Sequence, residues 1–248
     1  MIRVIVHGAG GRMGRMLCRL LREDFSSWEL AAQVSPSLAE DGENCYRTLA
    51  QVPPAADCVV DFSHHSTAPA LMTYCREHRL PVVVATTGHT PEEMAAIHAA
   101  AAAIPVFFSA NMSVGVAYLA EMGKKAAALF PQAEIEIIER HHDQKLDVPS
   151  GTALLLADRI GEVRPDAPVV TGRRENGKRD PREITIHSLR LGNKVGTHEI
   201  ILSTGSETIT LRHEAEDRTL FANGAMAAIR FLLTQPAGLY GMSDMLTQ

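Results

Sequence analysis

The chain has 248 residues, enough for two linked domains that each bury a core, and its 24 Lys+Arg against 29 Asp+Glu leave a net charge of −5. That acidic balance argues against a nucleic-acid partner, and no apolar run approaches the roughly 20 residues of a membrane-spanning helix. Four cysteines (Cys18, Cys45, Cys58, Cys75) fall in the first third without a C-x-x-C pair, so a reduced, cytoplasmic protein is expected.

Residues 2–6 read as a strand that runs straight into a glycine loop, which leaves no signal peptide in view. Up to residue 112, short β-branched runs at 2–6, 30–34, 58–61, 82–85 and 106–108 alternate with helical stretches at 14–23, 68–78 and 91–103. Such alternation predicts βαβ units on a Rossmann-like, doubly wound parallel sheet. The loop Gly8-Ala9-Gly10-Gly11-Arg12-Met13-Gly14 follows the first strand and opens a helix. Glycines there let the chain turn tightly and let a pyrophosphate approach the helix N-terminus, so dinucleotide binding is expected. Met13 holds the place of the usual third glycine, leaving a G-x-x-G-x-x-G variant; on its own such a loop is also read as a structural tight turn.

The second strand ends at Gln33-Val34-Ser35-Pro36, without the acidic residue that would hold the adenosine ribose hydroxyls. Ser35 offers a neutral hydroxyl and Arg12 is in position to reach a 2′-phosphate, so NADPH is expected to be accepted at least as well as NADH. Three further loops lie after predicted parallel strands: Phe62-Ser63-His64-His65, Ala85-Thr86-Thr87-Gly88 and Ser109-Ala110-Asn111-Met112. Their small and hydroxyl residues allow close approach of a nicotinamide ribose, although any one of them alone reads as ordinary turn chemistry.

After residue 112 comes a long helix over 114–129, stopped by Pro131, and then strands at 134–140, 183–191, 198–203 and 208–213. Turns such as Leu191-Gly192-Asn193-Lys194 predict antiparallel pairing, and a final helix over 221–233 is free to pack on either domain. The expected organisation is a dinucleotide-binding domain over 1–112, with 221–248 returning to it, and an α+β domain over 113–220 with a mixed or antiparallel sheet. The basic cluster Arg173, Arg174, Lys178, Arg179 and Arg182 reads first as a solvated loop and second as an anion or subunit contact.

The stretch richest in chemistry is 139–152. The strand pattern Ile135-Glu136-Ile137-Ile138 delivers His141 and His142 to a loop carrying Lys145, and Pro149-Ser150-Gly151-Thr152 opens a new apolar helix. Proton donors at one end and an anion-binding helix N-terminus at the other suit an acid-catalysed reaction on a carboxylated substrate. A His-His pair alone is more often surface or core filling; Lys145 and the Ser-Gly-Thr helix start favour catalysis. A metal site at His141-His142-Asp143 is not expected, because neighbours on an extended chain point to opposite sides and no second ligand cluster has recognisable spacing.

Together, Gly8–Gly14, Thr86-Thr87-Gly88, Ala110-Asn111-Met112-Ser113-Val114-Gly115, Glu139-Arg140-His141-His142 through Lys145, Pro149-Ser150-Gly151-Thr152-Ala153 and Phe221-Ala222-Asn223-Gly224-Ala225 resemble the bacterial dihydrodipicolinate reductase family over essentially the whole chain. The E-x-H-H-x-x-K…P-S-G-T-A signature is specific, whereas the glycine loop is not. The resemblance implies an NADPH- or NADH-dependent oxidoreductase of lysine and diaminopimelate biosynthesis acting on a small cyclic dicarboxylate, assembled as a homotetramer through the C-terminal sheets. It further implies that His141 and Lys145 donate protons and that His142, Gly151 and Thr152 bind substrate. Gly8, Ala9, Gly10, Gly11, Arg12, Met13, Ala85, Thr86, Thr87, Ser109, Ala110, Asn111 and Met112 would line the cofactor, joined by Ser35 from the reading above. Three departures from the family pattern stand out: Ser35-Pro36 in place of an acid-plus-Arg pair, Ala85 in place of Gly, and His64 near the position of an Arg.

The chemistry fits the residues. Hydride delivered to a conjugated ring creates an electron-rich enamine that must take a proton, and histidine, with a reference pKa of about 6.5, is suited to give one. Lysine can hold a carboxylate or assist loss of the 4-hydroxyl, and Gly151 lacks the Cβ that would obstruct a second carboxylate. The rival readings are another Rossmann-type NAD(P) dehydrogenase, which would not need the Pro-Ser-Gly-Thr helix start beside two histidines, and a non-catalytic NADPH sensor, which would not need a proton donor.

Overall fold

The structure, a computed structural model, describes residues 1–24, 26–38, 42–53, 55–173 and 176–247. It divides into two compact units, Met1–Ser113 with Thr219–Gln248, and Val114–Arg218.

The first unit is built on a seven-stranded sheet. Its strands are β1 (Ile2–His7), β2 (Trp28–Val34), β3 (Cys45–Tyr46), β4 (Cys58–Asp61), β5 (Val82–Val84), β6 (Pro105–Phe108) and β12 (Gly238–Tyr240), in the order β12-β6-β5-β4-β1-β2-β3 with every pairing parallel. Parallel strands covered on both faces call for continuous apolar runs, and Val4 to Val6, Cys58 to Val60 and Val82 to Val84 are fully buried. The helices α1 (Arg12–Glu23), α2 (Ala68–His78), α3 (Pro91–Ala101) and α6 (Thr219–Leu232) belong to this unit. A capping box starts α3: the Thr90 hydroxyl accepts from Glu93 N, and the Glu93 carboxylate accepts from Thr90 N. The edge strands β3 and β12 are two and three residues long, too short to leave a period in the sequence. Succession along the sheet reverses between β1 and β4, which sets a crevice at their carboxyl ends, where His7 and Asp61 sit side by side.

The second unit packs α4 (Val114–Leu129) and α5 (Gly151–Gly161) on a mixed sheet of β7 (Glu134–His141), β8 (Val169–Thr171), β9 (Ile184–Arg190), β10 (Gly196–Ser203) and β11 (Thr208–Ala215). The order is β11-β10-β7-β9-β8, with β10 antiparallel to β7 and β11, and β9 parallel to β7 and β8. The turn at Leu191–Lys194 therefore does not close the hairpin its composition suggests. It joins β9 to β10 across the end of β7, which lies between them. Strand alternation puts Ile135, Ile137, Glu139 and His141 on the buried face of β7, so an apolar row ends in a carboxylate and an imidazole.

No helix among the described residues is long and apolar enough to cross a membrane. The four cysteines are free.

Candidate active site

Glu139 is the centre of the polar cluster at the end of β7. The sheet register sets His198 of β10 opposite it on one side and Ser188 of β9 on the other, with Arg190 opposite His141. The carboxylate is fully buried and accepts from four donors. His141 Nδ1 donates to Oε2, the Arg190 guanidinium forks onto Oε1 at 2.8 Å and Oε2 at 3.0 Å, and Ser150 N reaches Oε1 at 3.2 Å. Burial alone would raise its pKa; the hydrogen bonds from His141 and Arg190 more than reverse this and hold the carboxyl well below the usual carboxylate range. An ionised Glu139 only accepts, so His141 carries a proton on Nδ1 and works through Nε2. Gly196 backs that nitrogen: a Cβ there would lie 3.0 Å from His141 Nε2, so a larger residue would push on the ring.

His198 completes the cluster. Its ring lies edge-on to His141 with centroids 5.1 Å apart, and its Nε2 is 3.2 Å from the Ser150 hydroxyl. Burial first, and then the neighbouring His141, push its pKa down to about 3, so it is neutral near pH 7. Glu139, His141 and His198 are also the one group among the described residues whose ligand atoms converge within 4.8 Å as a metal site would require. Arg190 already occupies both carboxylate oxygens, so a divalent cation would lie against a guanidinium. The donor set suits proton transfer better.

The chain leaving β7 is gripped by the turn between β9 and β10. Leu191 N donates to His141 O, His142 N to Lys194 O and Asp143 N to Gly192 O, at 2.8–3.2 Å. Arg190 also reaches Asp147 O at 2.6 Å, tying the loop that carries Lys145 to the Glu139 cluster. Lys145 Nζ pairs with Asp147 Oδ1 at 2.7 Å, and this hydrogen bond lowers the Asp147 pKa. Ser150 is the N-cap of α5: its hydroxyl accepts from Ala153 N at 3.2 Å, so it serves the helix and His198. Gly151 is exposed, and the space a Cβ would take there is open to 4 Å. Thr152 follows it in the first turn, half-buried.

In the first unit, the loop predicted to hold a dinucleotide forms the turn from β1 to α1. Gly8 has φ +82° and packs so closely that a Cβ would lie 2.5 Å from the Phe62 backbone, so only glycine fits. Gly8 N and Ala9 N bond to Val34 O. The N-cap of α1 is Gly11, which makes no side-chain cap bond, so the first-turn amides at Arg12 and Met13 are left without a side-chain cap, as an anion-binding helix end requires. Above Gly10, the hydroxyls of Ser35 and Ser37 lie 3.0 Å apart; a Cβ on Gly10 would come within 2.7 Å of either. A groove of about 1060 Å³ runs from here, lined by Gly8, Gly11, Ser35, Phe62, His64 and Arg47 among others. These observations fit a dinucleotide. Sequence reading named the loop Phe62–His65 but missed His7 and Arg47 in this groove, because their place there depends on how separate segments meet.

The remaining predicted cofactor residues share the carboxyl edge of the sheet, after β5 and β6. Ala85 N donates to Asp61 O, and the buried Thr86 hydroxyl donates to Asp61 Oδ2 at 3.3 Å; Thr87 is exposed. Ser109 and Asn111 close their own turn, with the Ser109 hydroxyl on Asn111 O and Asn111 Oδ1 accepting from Ser113 N. Ala110 is exposed and Met112 is buried. The basic cluster is largely neutralised within the chain: Arg173 and Arg179 pair with Glu183, Arg179 also with Glu134 and Glu136, and Arg182 with Asp180. Arg174 lies outside the described residues.

Known proteins match both parts of the chain. Residues 2–112 match the family model for the N-terminus of dihydrodipicolinate reductase, and residues 115–246 match that for its C-terminus. The 4-hydroxy-tetrahydrodipicolinate reductase of Caldanaerobacter subterraneus subsp. tengcongensis is 41% identical, over 99% of this chain and 98% of that protein. The enzyme of the same name from Clostridium tetani is 39% identical, over 99% and 97%. Among solved structures, a dipicolinate-bound dihydrodipicolinate reductase from Paenisporosarcina sp. TG-14 superposes with a TM-score of 0.81 at 26% identity, covering 98% of this chain and 99% of that one. With both halves matched in order and the histidine–lysine segment at the end of β7, the chain belongs to the dihydrodipicolinate reductase family.

Proposed function

We propose that the chain reduces 4-hydroxy-tetrahydrodipicolinate to tetrahydrodipicolinate in lysine and diaminopimelate biosynthesis, with His141 as proton donor. The observation that carries this reading is the buried Glu139–Arg190 fork, which fixes the His141 tautomer and also binds the N-cap amide of α5. One carboxylate thereby aligns a proton donor and an anion-binding helix end.

A bound nicotinamide supplies hydride to the substrate ring. The residues of the second unit handle charge and protons. Amides at Gly151 and Thr152 hold one substrate carboxylate at the α5 N-terminus, where Gly151 leaves room for close approach. Lys145 exchanges its contact with Asp147 for substrate, steadying a carboxylate and assisting departure of the 4-hydroxyl as water. His142 adds a further substrate contact. His141, as imidazolium backed by Glu139, gives its Nε2 proton to the enamine carbon left by hydride addition, and solvent restores the proton. The relative solved with dipicolinate supports a planar dicarboxylate as the ligand. The rival dehydrogenase and sensor readings are not favoured, since family models match both units and the proton-donor cluster is complete.

For the cofactor, neutral hydroxyls at Ser35 and Ser37, Arg47 in the groove and Arg12 in the first turn of α1 favour NADPH at least as much as NADH. The test is the rate at which each reduced nicotinamide is consumed, with substrate made in situ from pyruvate and aspartate semialdehyde. Substrate-dependent consumption with kcat/KM no lower for NADPH is expected. No turnover with either cofactor would reject the function, and a clear advantage for NADH would reject the preference. Assembly as a cytoplasmic homotetramer is part of the same proposal, and light scattering of the purified chain checks the tetramer.

A further inference from the structure

We propose that His7 contacts the cofactor and that the buried Asp61 carboxylate is the positioning residue that holds it there. His7 ends β1 and is the register partner of Asp61 at the end of β4, at the point where the order of the sheet reverses. Alternation places His7 on the face of β1 that carries Ile5, and Asp61 on the face of β4 that carries Val59, so a charged residue and an imidazole continue what is otherwise an apolar core layer. Asp61 is fully buried, and a carboxylate so placed needs its oxygens occupied.

Its donors come from the ends of adjacent strands. Oδ1 accepts from His7 Nδ1 at 2.9 Å, Ser63 N at 3.0 Å and the Ser63 hydroxyl at 2.5 Å; Oδ2 accepts from the Thr86 hydroxyl at 3.3 Å. Since an ionised carboxylate only accepts, the proton on His7 Nδ1 is committed to Asp61, and Nε2 is the nitrogen left for a ligand. His7 is 8% exposed and lines the groove that Gly8, Gly11 and Ser35 also line. A histidine that merely fills a core would not border this groove. The chemistry also has a use there. The strand that usually ends in an acid for the adenosine ribose is followed here by Ser35, and His7 supplies a second polar group for the ribose–diphosphate portion of a dinucleotide.

The proposal rests on the reading of this groove as the cofactor site, and direct binding separates the two. NADPH is titrated by its fluorescence into the full-length wild type, His7→Ala, His7→Gln, Asp61→Asn and the His7→Ala/Asp61→Asn double variant, with thermal stability recorded for each. His7→Ala is expected to raise Kd about tenfold, the worth of one good hydrogen bond, with partial recovery in His7→Gln. Asp61→Asn is expected to raise Kd as well, yet to add nothing in the His7→Ala background. If wild type binds neither NADPH nor NADH, the cofactor reading itself fails. Wild-type Kd in folded His7→Ala overturns the proposal. Further weakening by Asp61→Asn without His7 shows that Asp61 acts on the loops generally, and overturns its positioning role. Should Asp61→Asn fail to fold, the two His7 variants decide the contact.

Discussion

Asp61 and Glu139 are both fully buried, and each accepts from Nδ1 of a histidine that ends a strand. Their surroundings differ. Asp61 is otherwise held by hydroxyls and an amide, whereas Glu139 is clasped by the Arg190 guanidinium and faces a second histidine kept neutral by burial. Neutral donors are enough where a histidine needs only to be oriented toward a ligand. Where a histidine is to cycle between charged and neutral forms, a permanent cation keeps the supporting carboxylate ionised throughout. Arg190 is therefore the residue that most separates the two dyads.

The largest effects should fall on turnover in the second unit. His141→Ala and Lys145→Ala are each expected to lower kcat by roughly 10²–10⁴ while leaving NADPH affinity intact, read by steady-state kinetics beside fluorescence titration. Near-normal turnover in either variant would remove that residue from the mechanism.

The comparison of the two carboxylates is sharpened by taking one donor from each. Arg190→Met strands a buried charge and should cost about 3–5 kcal/mol of unfolding free energy, whereas Thr86→Val beside Asp61 removes one neutral hydroxyl and should cost about 1 kcal/mol. Equal losses in denaturant titrations would mean that the guanidinium is not what sustains Glu139.

A smaller effect distinguishes the neutral histidine. The folded pKa of His198 is about 3, against about 6.5 for an unfolded histidine, so the unfolded chain binds the extra proton between these values. Stability is then fully present above about pH 6.5 and declines as pH falls toward 3. His198→Gln should flatten that decline, and an unchanged slope in its acid denaturation curve would show that His198 is not protected from protonation.

Much of this was legible in the sequence because it is local. The Val-rich runs and the helix start at Ser150 each lie within a few residues, and Glu139 and His141 share a face because strand side chains repeat every second residue. The rest depends on chain segments far apart. Arg190 is 51 residues from Glu139, His198 is 48 from Ser150, and Asp61 is 54 from His7; each pair meets only through the order of strands. The turn at Leu191–Lys194 shows the limit well. Its residues mark a tight reversal, but nothing local tells that β7 lies between the strands it joins, and that insertion is what lets the turn grip His141 and His142.

The most direct measurement is a double-mutant cycle on kcat across wild type, Glu139→Gln, His141→Ala and the double variant. If Glu139 acts by holding the proton donor, Glu139→Gln alone should cost roughly ten- to a hundredfold, and should cost nothing further once His141 is gone. Losses that multiply independently would contradict the dyad and leave Glu139 as a structural residue of the sheet.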